Sequence, residues 1–212
     1  MKITKLGHCC LIIEEKGLKI LTDPGNYTHK QNEVTGIDIV LISHEHSDHY
    51  HLDSVKALMK NNPTARLISN GAVGSLLEKE GFKYEKVGDG EKIEIGGVLI
   101  EGFGKDHAPI YKDLMLVENT GYLINSYLYI PGDAFHAPSK GVLVLALPVA
   151  GPWVKISDSI DYALEVKPKK TFPVHDANLR ILGGAPYYVS KEILEKNNIE
   201  FLPLELDKPT EI

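Results

Sequence analysis

The sequence predicts a mixed α/β fold, for two reasons. Apolar runs with the character of buried strands, such as IDIVLIS and VLVLALPVA, alternate with segments of helical periodicity such as DSVKALMKNN. The strand-like runs also form two groups along the chain, each accompanied by helical segments. Because every sheet must cover its faces with apolar partners, these groups favour two sheets packed face to face with helices outside.

The first group begins with three short strands, KITKL, CLIIEE and LKILTD, which Gly7 and Gly17 separate. The buried strand IDIVLIS follows a polar loop. The helix DSVKALMKNN comes next, and we expect Asp53 or Ser54 to be its N-cap. RLISN and GAVGSLLEKEGF then repeat the order of strand and helix.

The second group contains EKIEIGG, VLIEGFGKDH, TGYLIN and SYLYIPGD, which are typical of antiparallel strands, and then the buried strand VLVLALPVA. The last third predicts a helix near SDSIDYALEVK and a strand at KTFPVH. A final helix at YVSKEILEKNN should end near Asn197 and Asn198. The sequence contains no low-complexity linker, so we expect a single domain over residues 1–212.

Composition excludes several classes of function. The hydrophobic content of 43% and charged content of 25% are typical of soluble globular proteins. A net charge of -6 argues against general nucleic-acid affinity. No apolar run reaches the roughly 20 residues of a membrane span, and the first residues lack the apolar core of a signal peptide. We therefore expect a cytoplasmic protein without membrane or nucleic-acid partners.

The two cysteines, Cys9 and Cys10, are adjacent, a spacing that does not suit a disulfide bond between them. On a strand their side chains would point to opposite faces, so at most one can face an active site. We expect both to be small core residues.

The segment VLISHEHSDHYHLDS places four histidines and two aspartates directly after an apolar run. Residues two apart on extended backbone point the same way, so His44 and His46 can present imidazole nitrogens to one ion. The turn that follows can direct Asp48 and His49 at a second point nearby. Zinc and other first-row ions favour histidine nitrogen and carboxylate oxygen, so the segment predicts a metal site.

The alternative is a solvated histidine-rich loop or an accidental cluster. Further candidate ligands argue against it, because each follows a strand-like run, where ligand sites of α/β proteins commonly lie. These candidates are His107, Asp133 and His175.

The ordered set HEHSDH, GKDH, IPGDA and FPVHD resembles the metallo-β-lactamase superfamily. The resemblance extends over nearly the whole chain, from the LTDP element at Asp23 to His175, and it implies a four-layer α/β/β/α sandwich. The opening GHCCLIIE and the compact length look most similar to the small hydrolases grouped with L-ascorbate-6-phosphate lactonase.

The resemblance implies two divalent metal ions held by histidines and aspartates, with Asp133 as a bridge. The implied ligands of the first ion are His44, His46 and His107. The implied ligands of the second ion are Asp48, His49 and His175. We expect zinc or manganese, with iron as a further candidate. The expected chemistry is hydrolysis by a metal-bound hydroxide, which Asp48 and Asp133 would orient.

Three more residues are candidates for supporting the metals or binding substrate. Asp23 can support a ligand histidine, or it can form the turn before Pro24. His8 can approach the site or be a core histidine. Arg180 can hold an anionic group or lie on the surface. Further candidates for the substrate pocket are Lys105, Tyr111, Trp153 and Lys155, whereas we expect solvent exposure for His29, His51 and His136.

These features predict a metal-dependent hydrolase for a small, anionic ester, lactone or phosphodiester, and they are compatible with a homo-oligomer. One alternative is a nuclease or RNA-processing phosphodiesterase of the same superfamily, which would usually need an extra domain or basic arm. The other is a non-catalytic metal-binding protein, against which the complete ligand set argues. A serine hydrolase is disfavoured because the sequence has no GxSxG elbow.

Overall fold

The β-strands form two mixed sheets that pack face to face. The computed structural model describes residues 1–112, 114 and 116–212, and within these residues each sheet has seven strands. Helices cover the outer faces. The predicted four-layer α/β/β/α sandwich is therefore confirmed.

The first sheet comes mainly from the first half of the chain. Its strands are β1 (Lys2–Gly7), β2 (Cys10–Glu15), β3 (Leu18–Thr22), β4 (Ile39–Ile42), β5 (Arg66–Ser69), β6 (Glu85–Lys86) and β14 (Thr210–Glu211). They lie in the order β14-β1-β2-β3-β4-β5-β6. Pairing is antiparallel from β14 to β3 and parallel from β3 to β6. The parallel connections use a short 3-10 helix (Lys30–Glu33) and the helices α1 (Leu52–Asn61) and α2 (Gly71–Lys79).

The second sheet repeats this plan. Its strands are β7 (Lys92–Ile95), β8 (Val98–Phe103), β9 (Gly121–Ile124), β10 (Leu128–Ile130), β11 (Val144–Pro148), β12 (Lys170–Val174) and β13 (Glu200–Phe201). The order is β13-β12-β11-β10-β9-β8-β7, antiparallel from β7 to β10 and parallel from β10 to β13. The helices α3 (Ile156–Val166) and α4 (Ala185–Lys196) make the last two parallel connections.

The core has an inner layer between the sheets and an outer layer under each pair of helices. The inner layer includes Ile13, Ile39, Ile100, Ile124 and Phe172. The outer layers include Val55, Leu58, Val73 and Leu77 on one side and Ile160, Ala163 and Leu194 on the other. Cys9 belongs to the inner layer and Cys10 to an outer one, and both are buried and free, so their prediction as core residues is confirmed.

The sequence predicted where α1 begins and where α4 ends, and the structure confirms only the second prediction. The expected stop of α4 near Asn197 is confirmed, because the helix ends at Lys196. The expected N-cap of α1, Asp53 or Ser54, was wrong. The helix begins at Leu52, and the preceding residue His51 is its N-cap. Ser54 lies inside the first turn, where its buried hydroxyl contacts His51 Nδ1 at 3.0 Å instead of capping the backbone. Among the described residues, no helix has the length and apolar content that a bilayer crossing requires.

Candidate metal centre

The candidate ligands follow strands of both sheets, and they meet at one edge of the sandwich. The loop after β4 carries four of them, and single residues follow β8, β10 and β12. In chain order they are His44, His46, Asp48, His49, His107, Asp133 and His175. All are buried except His46 and Asp48, which are half-buried, so the site reaches solvent on the side of these two residues.

The side chains form two groups, and within each group the ligand atoms all lie within 4.8 Å of one another. The first group is His44, His46, His107 and Asp133. The second group is His8, Asp48, His49 and His175. The structure therefore brings together every residue expected to bind metal, in the division that the family resemblance implies, and it adds His8 to the second group.

Backbone carbonyls orient two of the histidines. His107 Nδ1 lies 2.5 Å from the carbonyl oxygen of Ala108, and His175 Nδ1 lies 2.5 Å from that of Ala150. A carbonyl oxygen can only accept a hydrogen bond, so each Nδ1 carries a proton. In the neutral imidazole, each Nε2 then has a free lone pair.

Asp23 and Ser43 orient two more histidines. His49 Nδ1 donates to Asp23 Oδ2 over 2.9 Å. The same carboxylate accepts the Ser43 backbone N–H at 2.8 Å and the Ser43 hydroxyl at 2.9 Å. Because that hydroxyl proton is already donated, Ser43 Oγ accepts from His44 Nδ1 at 3.0 Å. Asp23 therefore contacts a ligand histidine directly, in addition to preceding Pro24.

The opposite ring nitrogens converge without partners of their own. Among the described residues, the buried polar atoms that lack a hydrogen bond include the Nε2 atoms of His44, His46, His49, His107 and His175, together with Asp133 Oδ1. Leaving so many buried polar atoms unsatisfied would be costly. Lone pairs that face one another suit a shared cation, so the donor set fits two divalent ions.

The carboxylate of Asp133 lies between the two groups. Its Oδ2 is 3.4 Å from His107 Nε2 in the first group and 2.9 Å from His175 Nε2 in the second. Its Oδ1 is 3.0 Å from His49 Nε2. This placement suits a carboxylate that contacts an ion in each group.

His8 contacts Asp48 as a hydrogen-bond donor. The backbone N–H of Ala177 donates to His8 Nδ1 over 3.3 Å, so that nitrogen is the acceptor and Nε2 carries the proton. His8 Nε2 is 3.2 Å from Asp48 Oδ2. Burial lowers the pKa of His8 to about 4, although the Asp48 hydrogen bond opposes this shift. His8 therefore orients Asp48 as a neutral donor, and its proximity to the second group does not make it a ligand.

Three residues of the site have left-handed backbone conformations, which are uncommon outside glycine. The φ angles are 52° at His8, 42° at Asp23 and 57° at His175. Such conformations persist where surrounding contacts hold them, and they are frequent at functional sites. The hydrogen bonds from Ala177 and to Ala150 supply such contacts here.

Burial and the neighbouring carboxylates shift the pKa values of the candidate ligand histidines in different directions. Burial lowers the pKa values of His44 and His46, which favours neutral imidazoles. Burial also disfavours charge on His49 and His175, but Asp133 outweighs it and raises both pKa values well above the usual one. The pKa of Asp133 is well below its usual range, because the charges of these histidines outweigh its own burial.

Metal binding by the metal-free protein is expected to weaken as the pH falls. The raised pKa values mean that His49 and His175 hold protons, and an incoming ion must displace them. Calorimetric titration with zinc at about pH 8 and about pH 6, in two buffers of different ionisation enthalpy, would measure both affinity and proton release. Equal affinity at both pH values without proton release would contradict this expectation.

The other candidate residues differ in exposure. Arg180, Lys105, Tyr111, Lys155 and His29 are exposed. The expected solvent exposure was wrong for His51 and His136, which are half-buried. His51 contacts Ser54 as described above, and His136 Nε2 donates to the backbone oxygen of Asp106 over 3.1 Å.

Trp153 lines a cavity beside the candidate site, where an aromatic wall was expected, and it also contacts a candidate ligand. Most of its side chain is buried, and its Nε1 donates to Asp133 Oδ2 over 2.8 Å. The contacts of Ser43 and of the Ala150 carbonyl were not predicted from the sequence. A serine directly before the HxHxDH motif is only a weak indication of a contact with a candidate ligand. The sequence gives no indication of which backbone carbonyl a histidine will contact.

Besides a cavity of about 340 Å³ that His107 also lines, two larger cavities adjoin the candidate site. One, of about 600 Å³, is lined by Lys105, Asp106, His107, Pro109, Leu116, Val117 and Glu118. The other, of about 410 Å³, contains no candidate ligand, and its walls include Ile110, Phe135, Trp153 and Val154 together with Lys155 and Asp158. Both volumes suit small molecules. A further cavity of about 570 Å³, lined by Met1, Glu15 and Asn125 among others, contains none of the candidate ligands.

The chain is similar to several known proteins over most of its length. Protein Rv0786c of Mycobacterium tuberculosis is 31% identical over 210 residues, which cover 97% of this chain and 98% of that protein. A UPF0173 metal-dependent hydrolase of Aeropyrum pernix is 26% identical, with 92% and 90% covered. The solved structure of Igni18, a metallo hydrolase from Ignicoccus hospitalis, shares the fold with a TM-score of 0.75 at 18% identity, covering 99% of this chain and 97% of that one.

Fold and site together define a metal-dependent hydrolase of the metallo-β-lactamase fold, with two candidate metal sites. The family model for the β-lactamase superfamily domain matches residues 2–175. The chain belongs to this family.

Proposed function

We propose that this protein hydrolyses a small, anionic ester, lactone or phosphodiester with the help of two divalent metal ions. The observation that carries the proposal is the convergence of five buried, unpartnered Nε2 atoms, four of whose rings are held by hydrogen bonds at Nδ1. The proposed ligands of the first ion are His44, His46 and His107. The proposed ligands of the second ion are Asp48, His49 and His175. Asp133 would contact both ions.

The ions, when bound, supply an acidified water and polarise the carbonyl or phosphoryl oxygen of the substrate. The protein contributes the orientation of the polar groups around the reacting atoms. Asp48 is suited to accept and pass on a proton, because its side chain is 17% exposed and His8 fixes one of its oxygens. Asp133 is buried, which suits it to a fixed charge that balances the two ions.

The surroundings of the site support a small substrate. The cavity beside His107 carries Lys105 together with Asp106 and Glu118, and the cavity beside Trp153 carries Lys155 together with Asp158. Arg180 lies on the exposed loop after His175 and offers a bidentate fork to a phosphate or carboxylate. Lys105, Lys155 and Arg180 are the cations that would hold the anionic group of such a substrate. A lactone of a phosphorylated sugar is the first substrate to try, given the sequence resemblance to the ascorbate-6-phosphate lactonase group.

We place the reaction in the cytosol, with zinc or manganese as the first ions to test and iron as the third. Two buried free thiols fit a reducing compartment. The nuclease alternative is less favoured, because a net charge of -6 gives little attraction for a polyanionic strand. We propose no nucleic-acid or membrane partner.

Removal of the metal is expected to abolish hydrolysis, because no side chain of the site can replace the Lewis acid. The experiment measures the metal content of purified protein and then turnover on lactone, ester, thioester and phosphodiester panels, before and after chelation. We expect close to two ions per chain, loss of turnover after chelation and recovery with zinc, manganese or iron. Full turnover by verified metal-free protein would overturn the proposal. Two bound ions without turnover on any panel would favour a non-catalytic metal-binding protein.

A further inference from the structure

Trp153 is the only tryptophan of the chain, and it lies in the loop of residues 149–155 between β11 and α3. Its indole Nε1 donates to Asp133 Oδ2 over 2.8 Å. We propose that Trp153 is a positioning residue, which fixes the Asp133 carboxylate between the two metal groups. This inference rests on the proposed binuclear site.

The indole is held in one orientation. Its ring centroid is 5.8 Å from that of His107, 5.8 Å from that of His175 and 5.1 Å from that of Phe135. Only 8% of Trp153 is exposed, so the N–H needs a partner inside the protein. The partner is a carboxylate, and such charge-assisted hydrogen bonds are stronger than those to neutral acceptors.

The hydrogen bond from the indole holds the side-chain carboxylate of Asp133, whereas other contacts hold its backbone. The backbone is held by the Asp133 N–H, which donates to Asn119 Oδ1 at 3.0 Å, and by the Asp133 carbonyl, which accepts from Ala108 N–H at 2.8 Å. Within the part of the chain that the structure describes, the indole N–H is the one group that donates a hydrogen bond to this carboxylate, because the nearby imidazole Nε2 atoms make none.

The chemistry of indole makes this donor suited to the task. Its N–H neither titrates in the accessible range nor binds divalent ions. It therefore holds Oδ2 in place whether or not the neighbouring imidazoles are protonated. The contact occupies one lone pair of Oδ2, while Oδ1 has no such partner and faces His49 Nε2 at 3.0 Å. Trp153 thereby fixes Oδ2 between His107 of the first group and His175 of the second, and it leaves Oδ1 facing His49.

The loop of Trp153 also contacts His175 of the second group. The carbonyl of Ala150 accepts from His175 Nδ1, three residues before the indole. Gly151 lies between them with φ at 150°, and a Cβ there would be 3.1 Å from the His175 ring and 3.2 Å from Trp153 Nε1. One short loop therefore sets the orientation of one histidine ligand and of the shared carboxylate.

The test removes the N–H and keeps the shape of the ring. Because the chain has a single tryptophan, expression in a tryptophan auxotroph fed with 3-benzothienylalanine changes this one side chain only. We expect zinc affinity, measured by chelator competition, to fall by about 10- to 100-fold, the usual effect of losing a partner that orients a metal ligand. We also expect kcat on the substrate that the panels identify to fall while KM changes little.

The matched control is Phe135→Leu, which loosens the same aromatic packing and leaves the N–H intact. Its zinc affinity should stay close to that of the unmodified protein. Unchanged affinity in the benzothienylalanine protein would overturn the inference, and so would an equal loss in Phe135→Leu, because packing alone would then explain it. If the unmodified protein binds none of zinc, manganese and iron, the proposed binuclear site fails, and this result is distinct from both outcomes above.

Discussion

Replacing Asp133 with asparagine is expected to lower kcat/KM more than about a hundredfold. Mutation of a residue that only hydrogen-bonds to a metal ligand typically lowers metal affinity or activity by about 10- to 100-fold, and loss of the ligand itself should have a larger effect. The amide keeps the shape of the side chain but has no charge and one acceptor oxygen in place of two. Asp133 contacts both groups, through Oδ2 near His107 and His175 and through Oδ1 near His49. The loss of one carboxylate should therefore weaken both metal sites together.

The measurement combines metal content by elemental analysis with steady-state kinetics on the substrate found by the panels. Asp161→Asn is the matched control, since this carboxylate is exposed on α3 and outside both groups. The control should keep both ions and its rate. Two retained ions and an unchanged kcat/KM in Asp133→Asn would show that Asp133 is not the shared ligand.

The regular layers of the fold could be predicted from the sequence, because their signal is local. Buried strands such as IDIVLIS and the amphipathic helices carry their pattern within about ten residues. The edge strands β6, β13 and β14 were not predicted, since each has only two residues and too little pattern to detect. Their pairing depends on distant partners, as when β14 adds to β1 at the other end of the chain.

The ligands of the candidate site could be predicted for a similar reason. His44 and His46 stand directly after a buried strand, and His107, Asp133 and His175 each follow another, so residue type and position together gave the signal. The hydrogen bonds that orient these ligands could not be predicted. They join residues such as Trp153 and Asp133, whose contact exists only once β10 and the loop after β11 are in place.

Lys5→Met is expected to lower the free energy of unfolding of the metal-free protein by about 3 to 5 kcal/mol, because it leaves a buried carboxylate without its cation. Lys5 is 2% exposed on β1, and its Nζ donates to Asp176 Oδ2 at 2.5 Å and to the Pro173 carbonyl at 2.8 Å. The Tyr187 hydroxyl donates to the same carboxylate oxygen. Urea unfolding would measure the change. Lys2→Ala, which breaks only the surface pair with Glu14, should cost less than about 1 kcal/mol.

A double variant separates the lost charge pair from lost packing. If the cost comes from the unpaired carboxylate, Lys5→Met combined with Asp176→Asn should recover part of the stability, because the amide is neutral and still accepts from Tyr187. A double variant no more stable than Lys5→Met alone would contradict this explanation. Asp176 directly follows His175, so Lys5 ties the first sheet to the segment that carries a ligand from the second. We therefore expect the single variant to weaken zinc binding as well, and the double variant to restore it in parallel with stability.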